Sequence, residues 1–197
     1  MFQFAQHPLI LFLRVMFKSP TKVCALTPSS KMLARAMAKG LEIFPNETVI
    51  ELGPGTGALT DQIQRILPDD ARYIGIELEP QFVSLLRERF PDLRFEEDNV
   101  TRAFQVHANS GTPPVKAIIS GLPISTMPAS VIDEIIMNLD QLMGPGTVFR
   151  MFQYIHAYHL PSAVRFRRRM ASLFSDYRCD AIVVRNLPPA FVLTWVR

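Results

Sequence analysis

The sequence predicts an α/β fold with a largely parallel central sheet. Short apolar runs alternate with amphipathic helical segments between residues 49 and 174. The last two apolar runs have no helix between them, only an Asn-Leu-Pro-Pro link, so they read as an antiparallel hairpin at one edge. The length, 197 residues with 48% hydrophobic, suits one domain with a full core.

Each element follows from its residues. In "ETVIELGPGTGALTDQIQRIL", Val49, Ile50 and Leu52 form a buried strand, and three glycines permit a tight turn. A helix opens at Thr60 or Asp61 and ends before Pro68. "RYIGIELEP" is the second strand, and "PQFVSLLRERF" is a helix with Pro80 near its start. "LRFEEDNV" is the third strand, ending at Asp98, and "HANSGTPP" is a surface loop. "PVKAIISGLP" is the fourth strand, and "PASVIDEIIMNLDQLM" is a helix opened by Pro128 and closed by Gly144. "GTVFRMFQY" is the fifth strand. A helix follows from about Pro161 to Phe174, with Phe166, Met170, Leu173 and Phe174 as its apolar face. "CDAIVVRNLPPAFVLTWV" supplies the final pair of strands.

Charge is uneven. Residues 1–41 hold six Lys or Arg and no acid, and residues 148–197 hold eight Arg and two Asp. Residues 42–147 hold seven basic and sixteen acidic residues. Basic ends around an acidic middle suit an anionic partner, a membrane surface or nucleic acid, or serve solubility alone. Cys24 and Cys179 build no disulfide framework, which suits a reducing cytosol. No apolar run reaches the ~20 residues that cross a bilayer.

The opening stretch "LILFLRVMFKSP" is apolar at eight of the ten positions from Leu9 to Lys18. Pro8 and Pro20 bracket it, and it is too short to span. No basic segment precedes it and no small-residue cleavage site follows, unlike a secretory signal. Leu9, Phe12, Leu13, Met16 and Phe17 with Arg14 and Lys18 read as a helix lying in a membrane interface; a buried core helix is the other reading. Lys31, Arg35 and Lys39 repeat the basic spacing on a second helix, capped by Ser29 or Ser30 and ended by Gly40.

In open α/β sheets, ligands bind beyond the carboxyl ends of the strands. There the chain places Glu51-Leu-Gly53-Pro-Gly55-Thr-Gly57, then Glu77, then Asp98. The third glycine comes one residue earlier than in the dinucleotide fingerprint, so NAD is the weaker reading. A carboxylate ahead of the turn repels phosphate and suits an α-amino group. Glu77 suits ribose hydroxyls, and Asp98 suits an adenine amine. The ligand so described is S-adenosylmethionine.

The set "VIELGPGTGALT … IGIELEP … EEDNV … SGLP" resembles the class I S-adenosylmethionine-dependent methyltransferases. With "ALTPSSKMLARAMAKG", "SGLP" and "RNLPPAFV", nearly the whole chain looks like the bacterial phospholipid N-methyltransferases. These methylate phosphatidylethanolamine towards phosphatidylcholine and are related to the rRNA adenine dimethyltransferases. The resemblance implies a Rossmann-like seven-stranded sheet with helices on both faces over residues 41–197. It also implies amphipathic N-terminal helices over 1–40, acting at a membrane interface or as a lid. It places Pro28, Ser29 and Ser30 near the methionine end of the cofactor. Glu51, Gly53, Gly55, Thr56, Gly57, Thr60, Glu77, Leu78, Asp98, Asn99 and Val100 bind the rest, and Ser120, Gly121 and Leu122 line the methyl-transfer face. The implied partners are a membrane surface and a phospholipid, not nucleic acid or metal, with no oligomer implied. The implied location is cytoplasmic, attached to the inner face of the cell membrane.

Two other functions remain open. An rRNA adenine N6-dimethyltransferase holds its base with Asn or Asp, Pro and an aromatic, where this chain reads Gly121-Leu122-Pro123-Ile124. A non-catalytic membrane adaptor with a relic cofactor fold is the other. Methylating a lipid amine needs its lone pair, so the ammonium must first lose a proton. Tyr154 and Tyr158 in "FQYIHAYHLP" are the catalytic candidates, ahead of His156 and His159, which lack a third metal ligand. Arg165, Arg168 and Arg169 suit lipid phosphates or form a solvated face.

Overall fold

A computed structural model describes residues 30–68, 72–174 and 176–197. The expected membrane residues Leu9, Phe12, Leu13, Arg14, Met16, Phe17 and Lys18, and the expected cofactor residues Pro28 and Ser29, lie outside the described residues.

The strands are β1 (Thr48–Leu52), β2 (Tyr73–Glu77), β3 (Arg94–Glu97), β4 (Val115–Ser120), β5 (Val148–Tyr154), β6 (Asp176–Cys179) and β7 (Ala190–Val196). They form one seven-stranded sheet of order β3-β2-β1-β4-β5-β7-β6. β1 to β5 pair in parallel, and β7 runs antiparallel to both β5 and β6. β1 and β2 are buried at every residue, which is why they read as unbroken apolar runs.

The helices are α1 (Lys31–Ala38), α2 (Thr60–Gln64), α3 (Pro80–Arg89), α4 (Ala103–Ala108), α5 (Ala129–Leu142) and α6 (Pro161–Leu173). Side-chain alternation along the strands splits the core in two. On one face Leu33 and Met37 of α1, Ile63 of α2 and Leu86 of α3 pack on Val49, Ile119 and Phe152. On the other, Ile135 of α5 and Phe166 of α6 pack on Ile50, Ile118, Phe149 and Trp195. The helices therefore cover both faces, as expected.

Three local expectations are corrected. The edge strand β6 lies earlier than read, at Asp176–Cys179, and Val183 makes only an isolated bridge to Ala190. Tyr177 faces Trp195 across the strands, its ring tilted by 33° at 5.0 Å, an anchor for the register without an apolar run. The segment after Asp98, read without a helix, forms a 3-10 turn capped by Asn99 and then α4. Leu173 is 40% exposed and leaves the apolar face of α6 to Phe166 and Met170.

Candidate active site

Strand order reverses between β1 and β4, so their carboxyl ends open a crevice. The Gly-rich turn lies there and is internally bonded: Gly57 N donates to Pro54 O at 2.9 Å, and Gly53 N to Ile76 O at 2.9 Å. Gly57 has φ +82, and a Cβ there would stand 2.6 Å from the Phe90 ring. The third glycine is thus demanded both by its backbone and by packing against the residue that ends α3.

The three carboxylates expected at strand ends are present, in graded burial. Glu51 is wholly buried. Its Oε2 accepts from Tyr73 Oη at 2.5 Å and Thr60 Oγ1 at 2.8 Å, while its Oε1 has no partner among the described residues. Burial raises its carboxyl to about 7, against the opposing hydrogen bonds from Tyr73 and Thr60. Glu77 is also buried. Its Oε1 accepts from Leu78 N at 2.9 Å and Glu79 N at 3.0 Å, and its Oε2 accepts from Gly55 N at 2.9 Å. Burial raises its carboxyl too, opposed by these backbone donors. Asp98 is more open and accepts from Asn99 N at 2.7 Å, with Arg102 Nη1 at 3.3 Å. Asn99 Oδ1 caps Thr101 N at 3.0 Å, and Val100 is buried. Thr56 is buried, while Leu78 is 55% exposed beside Glu77.

S-adenosylmethionine fits this set. Oε1 of Glu51 is a buried acceptor without a donor, suited to an ammonium. Glu77 Oε2 takes one hydrogen bond and can accept a second from a ribose hydroxyl. A Cβ built on Gly55 meets nothing within 4 Å among the described residues.

The substrate end lies at β4 and β5. Ser120 is buried, and its Oγ accepts from Leu122 N at 3.3 Å. Gly121 N donates to Leu52 O at 2.9 Å, and a Cβ on Gly121 would stand 2.9 Å from Gly53 O. Ile124 is buried beneath it. A cavity of about 230 Å³ opens between Gly121–Thr126, Phe152–Tyr154 and His156. Tyr154 lines it, its ring edge-on to Phe152 at 5.4 Å and stacked on His156 at 5.7 Å; burial raises its phenol. Tyr158 does not line it. Its ring packs on Phe191 at 4.6 Å, under the Arg167 guanidinium at 3.7 Å.

Ser30 caps α1, its Oγ accepting from Leu33 N at 3.2 Å, and its own N donates to Asn186 Oδ1 at 2.9 Å. Asn186 Nδ2 donates to Pro188 O at 2.7 Å, so Ser30 at the start of α1 and "RNLPP" meet in space. Arg165 pairs with Asp133 at 2.7 Å, while Arg168 and Arg169 are exposed. Among the described residues no group of three metal-binding side chains occurs. A larger cavity, about 670 Å³, lies near the amino ends of β4 and β5. Its buried Arg150 is spent on Met37 O at 3.0 Å and Lys39 O at 2.8 Å, the last carbonyls of α1. The sequence reading missed Tyr73, Asn186 and Gln153. Tyr73 was detectable as an odd polar tip in an otherwise apolar buried strand; the other two carry no local signal.

A family model for ribosomal RNA adenine dimethylase matches residues 28–104. The chain is also 33% identical over 184 residues to the ornithine lipid N-methyltransferase of Singulisphaera acidiphila, covering 91% of each chain. The chain belongs to this family of S-adenosylmethionine-dependent methyltransferases. A ribosomal RNA small subunit methyltransferase A of Chlorobium phaeobacteroides is 34% identical over 65 residues, covering 33% of this chain and 23% of that one. This methyltransferase superposes on an O-methyltransferase of Bacillus cereus, solved in complex with SAH, with a TM-score of 0.64 at 16% identity, covering 96% of this chain and 90% of that one. That likeness is one of fold. The cofactor is S-adenosylmethionine, which supplies an electrophilic methyl group on a sulfonium.

Proposed function

We propose that this methyltransferase transfers methyl groups to the amine of phosphatidylethanolamine and its methylated derivatives, towards phosphatidylcholine, at a membrane surface. The observation that carries the reading is Gly121. The rRNA enzymes that the sequence resembles place an amine-holding Asn or Asp there, and here any side chain meets Gly53 O at 2.9 Å. Ile124, where those enzymes carry a base-stacking aromatic, is buried. The site is thus unsuited to gripping an adenine. The name of the Singulisphaera acidiphila relative, a lipid N-methyltransferase, supports the same substrate class.

In this reading Glu51 Oε1 takes the cofactor's ammonium, Glu77 its ribose, and Asp98 its adenine amine, with Leu78, Asn99 and Val100 about the base. Gly53, Gly55, Thr56, Gly57 and Thr60 form the turn under its methionine, with Pro28, Ser29 and Ser30 nearby. Ser120, Gly121 and Leu122 face the methyl group. The lipid ammonium gives its proton to water, and the bound cofactor would supply its methyl group to the lone pair so freed, leaving as the neutral thioether. A second positive charge beside the sulfonium lowers the amine's pKa and favours that loss. Tyr154 orients the amine from the cavity wall and offers its ring face to the methylated, cationic product.

The enzyme sits peripherally on the inner face of the cell membrane. Leu9, Phe12, Leu13, Met16 and Phe17 enter the interface while Arg14, Lys18, Arg168 and Arg169 meet anionic headgroups, and Arg165 adds its charge. Ser30 beside Asn186 brings the chain into α1 next to the loop that bonds to the end of β5, through Ile155 N and Pro189 O at 2.9 Å. No described helix is long and apolar enough to cross a membrane.

Two experiments test this. Methyl-labelled S-adenosylmethionine with phosphatidylethanolamine vesicles should give labelled mono-, di- or trimethylated lipid; no labelled lipid overturns the substrate. Deleting residues 1–18 should abolish flotation with anionic vesicles while cofactor affinity stays measurable; undiminished flotation overturns the membrane role of that stretch.

A further inference from the structure

Gln153 is only 5% exposed, near the end of β5, and it lines the 230 Å³ cavity. Its amide orientation is fixed. Arg167 Nη1 donates to its Oε1 at 2.5 Å, and the Arg167 guanidinium is held flat over the Tyr158 ring at 3.7 Å. The carbonyl side of the amide is therefore committed, and the NH₂ group must turn away from Arg167. That nitrogen, Nε2, is itself closed off from solvent and has no acceptor among the described residues. A buried amide left unpaired is costly, and folds seldom keep one without a use. The cavity wall contains no carboxylate that could take it.

We infer that Gln153 Nε2 is the subsite for an acceptor oxygen of the substrate, a few bonds from the amine that is methylated. The inference rests on the aminolipid reading and specifies it. The ligand is an amine joined to a phosphodiester oxygen or to an acyl carbonyl, and both present the same lone pairs. Arg167 acts through Gln153 as a positioning residue. Its charge polarises the amide and strengthens the Nε2 donor. The same charge disfavours an ammonium close by, so the pair orients the headgroup and favours the free amine.

The test uses the full chain, Gln153→Leu and Gln153→Glu, and three amines in detergent micelles. These are phosphatidylethanolamine, an ornithine-amide lipid, and a long-chain primary amine with neither oxygen. Gln153→Leu should raise KM for an oxygen-bearing amine about tenfold or more. Cofactor Kd should stay at the wild-type value, and the plain amine should be methylated equally by both proteins. A KM effect on phosphatidylethanolamine alone assigns the phosphate oxygen; one on the ornithine amide alone assigns the carbonyl. Gln153→Glu replaces the donor with an acceptor that holds the ammonium, so the acid limb of the pH–rate profile should move to higher pH. Unchanged KM in Gln153→Leu with an unchanged profile in Gln153→Glu overturns the inference and leaves the aminolipid reading standing. A wild-type enzyme that methylates none of the three amines overturns both.

Discussion

At the carboxyl ends of β1 and β2 the crevice is held by its own hydrogen bonds. Glu77 clamps Gly55 N with one oxygen and the Leu78 and Glu79 amides with the other, and Glu51 is fixed by Tyr73 and Thr60. At the ends of β4 and β5 the walls are a glycine pressed on Gly53 O, a half-buried tyrosine and an amide donor without an acceptor. The first half is set before any ligand arrives. It leaves one oxygen unmet, Glu51 Oε1, whereas the second half leaves the donor Gln153 Nε2 unmet among the described residues. A cofactor common to many reactions needs one geometry, and a substrate distinguishes one enzyme from its relatives.

That contrast can be broken at several points. The largest effect is expected from Gly57→Ala, which combines a positive φ with a Cβ 2.6 Å from Phe90. It should cost about 4 kcal/mol of stability, read as a fall in urea midpoint.

Next is the pH dependence from Glu51. The folded protein keeps its proton to about 7, and the unfolded chain gives it up near 4.5. Its contribution is full below 4.5 and declines as pH rises, levelling off above about 7. The loss is on the order of 3 kcal/mol, and Glu51→Gln should remove it from chemical denaturation curves. Glu77, also raised by burial, adds a slope of the same sign. A cofactor ammonium at Oε1 favours the ionised form, so cofactor affinity should rise about fivefold from pH 6 to pH 7 in calorimetry.

In the substrate half, Tyr154→Phe should lower kcat by roughly a hundredfold with cofactor Kd unchanged. Tyr158→Phe should leave turnover near the wild-type value, because that ring lies under Arg167 and off the cavity. Equal losses in the two variants would erase the distinction between them. A milder effect than that of Tyr154→Phe is expected for Gly121→Ala. Its methyl group pushes on the Gly53 carbonyl and should weaken cofactor binding about tenfold.

The crevice at the ends of β1 to β3 was largely legible in the sequence, because backbone geometry and strand-end carboxylates leave local marks. Three glycines two apart and an acid at each of three successive strand ends suffice to place Glu51, Glu77 and Asp98. The parallel sheet was legible from β1 and β2, which bury Val49 and Tyr73 on one face and Ile50 and Ile74 on the other. What escaped depends on distant partners. Gln153 matters because Arg167, fourteen positions on, commits its carbonyl. Asn186 matters because Ser30 lies 156 positions away. β6 was misplaced because Tyr177 facing Trp195, rather than an apolar run, anchors its register.

The most direct measurement places phosphatidylethanolamine vesicles and small-subunit rRNA in one reaction with methyl-labelled S-adenosylmethionine, then separates lipid from RNA. The expected result is label in phosphatidylethanolamine and its methylated products with none in RNA. Label in RNA alone would contradict an active site in which Gly121 offers no side chain to hold a base.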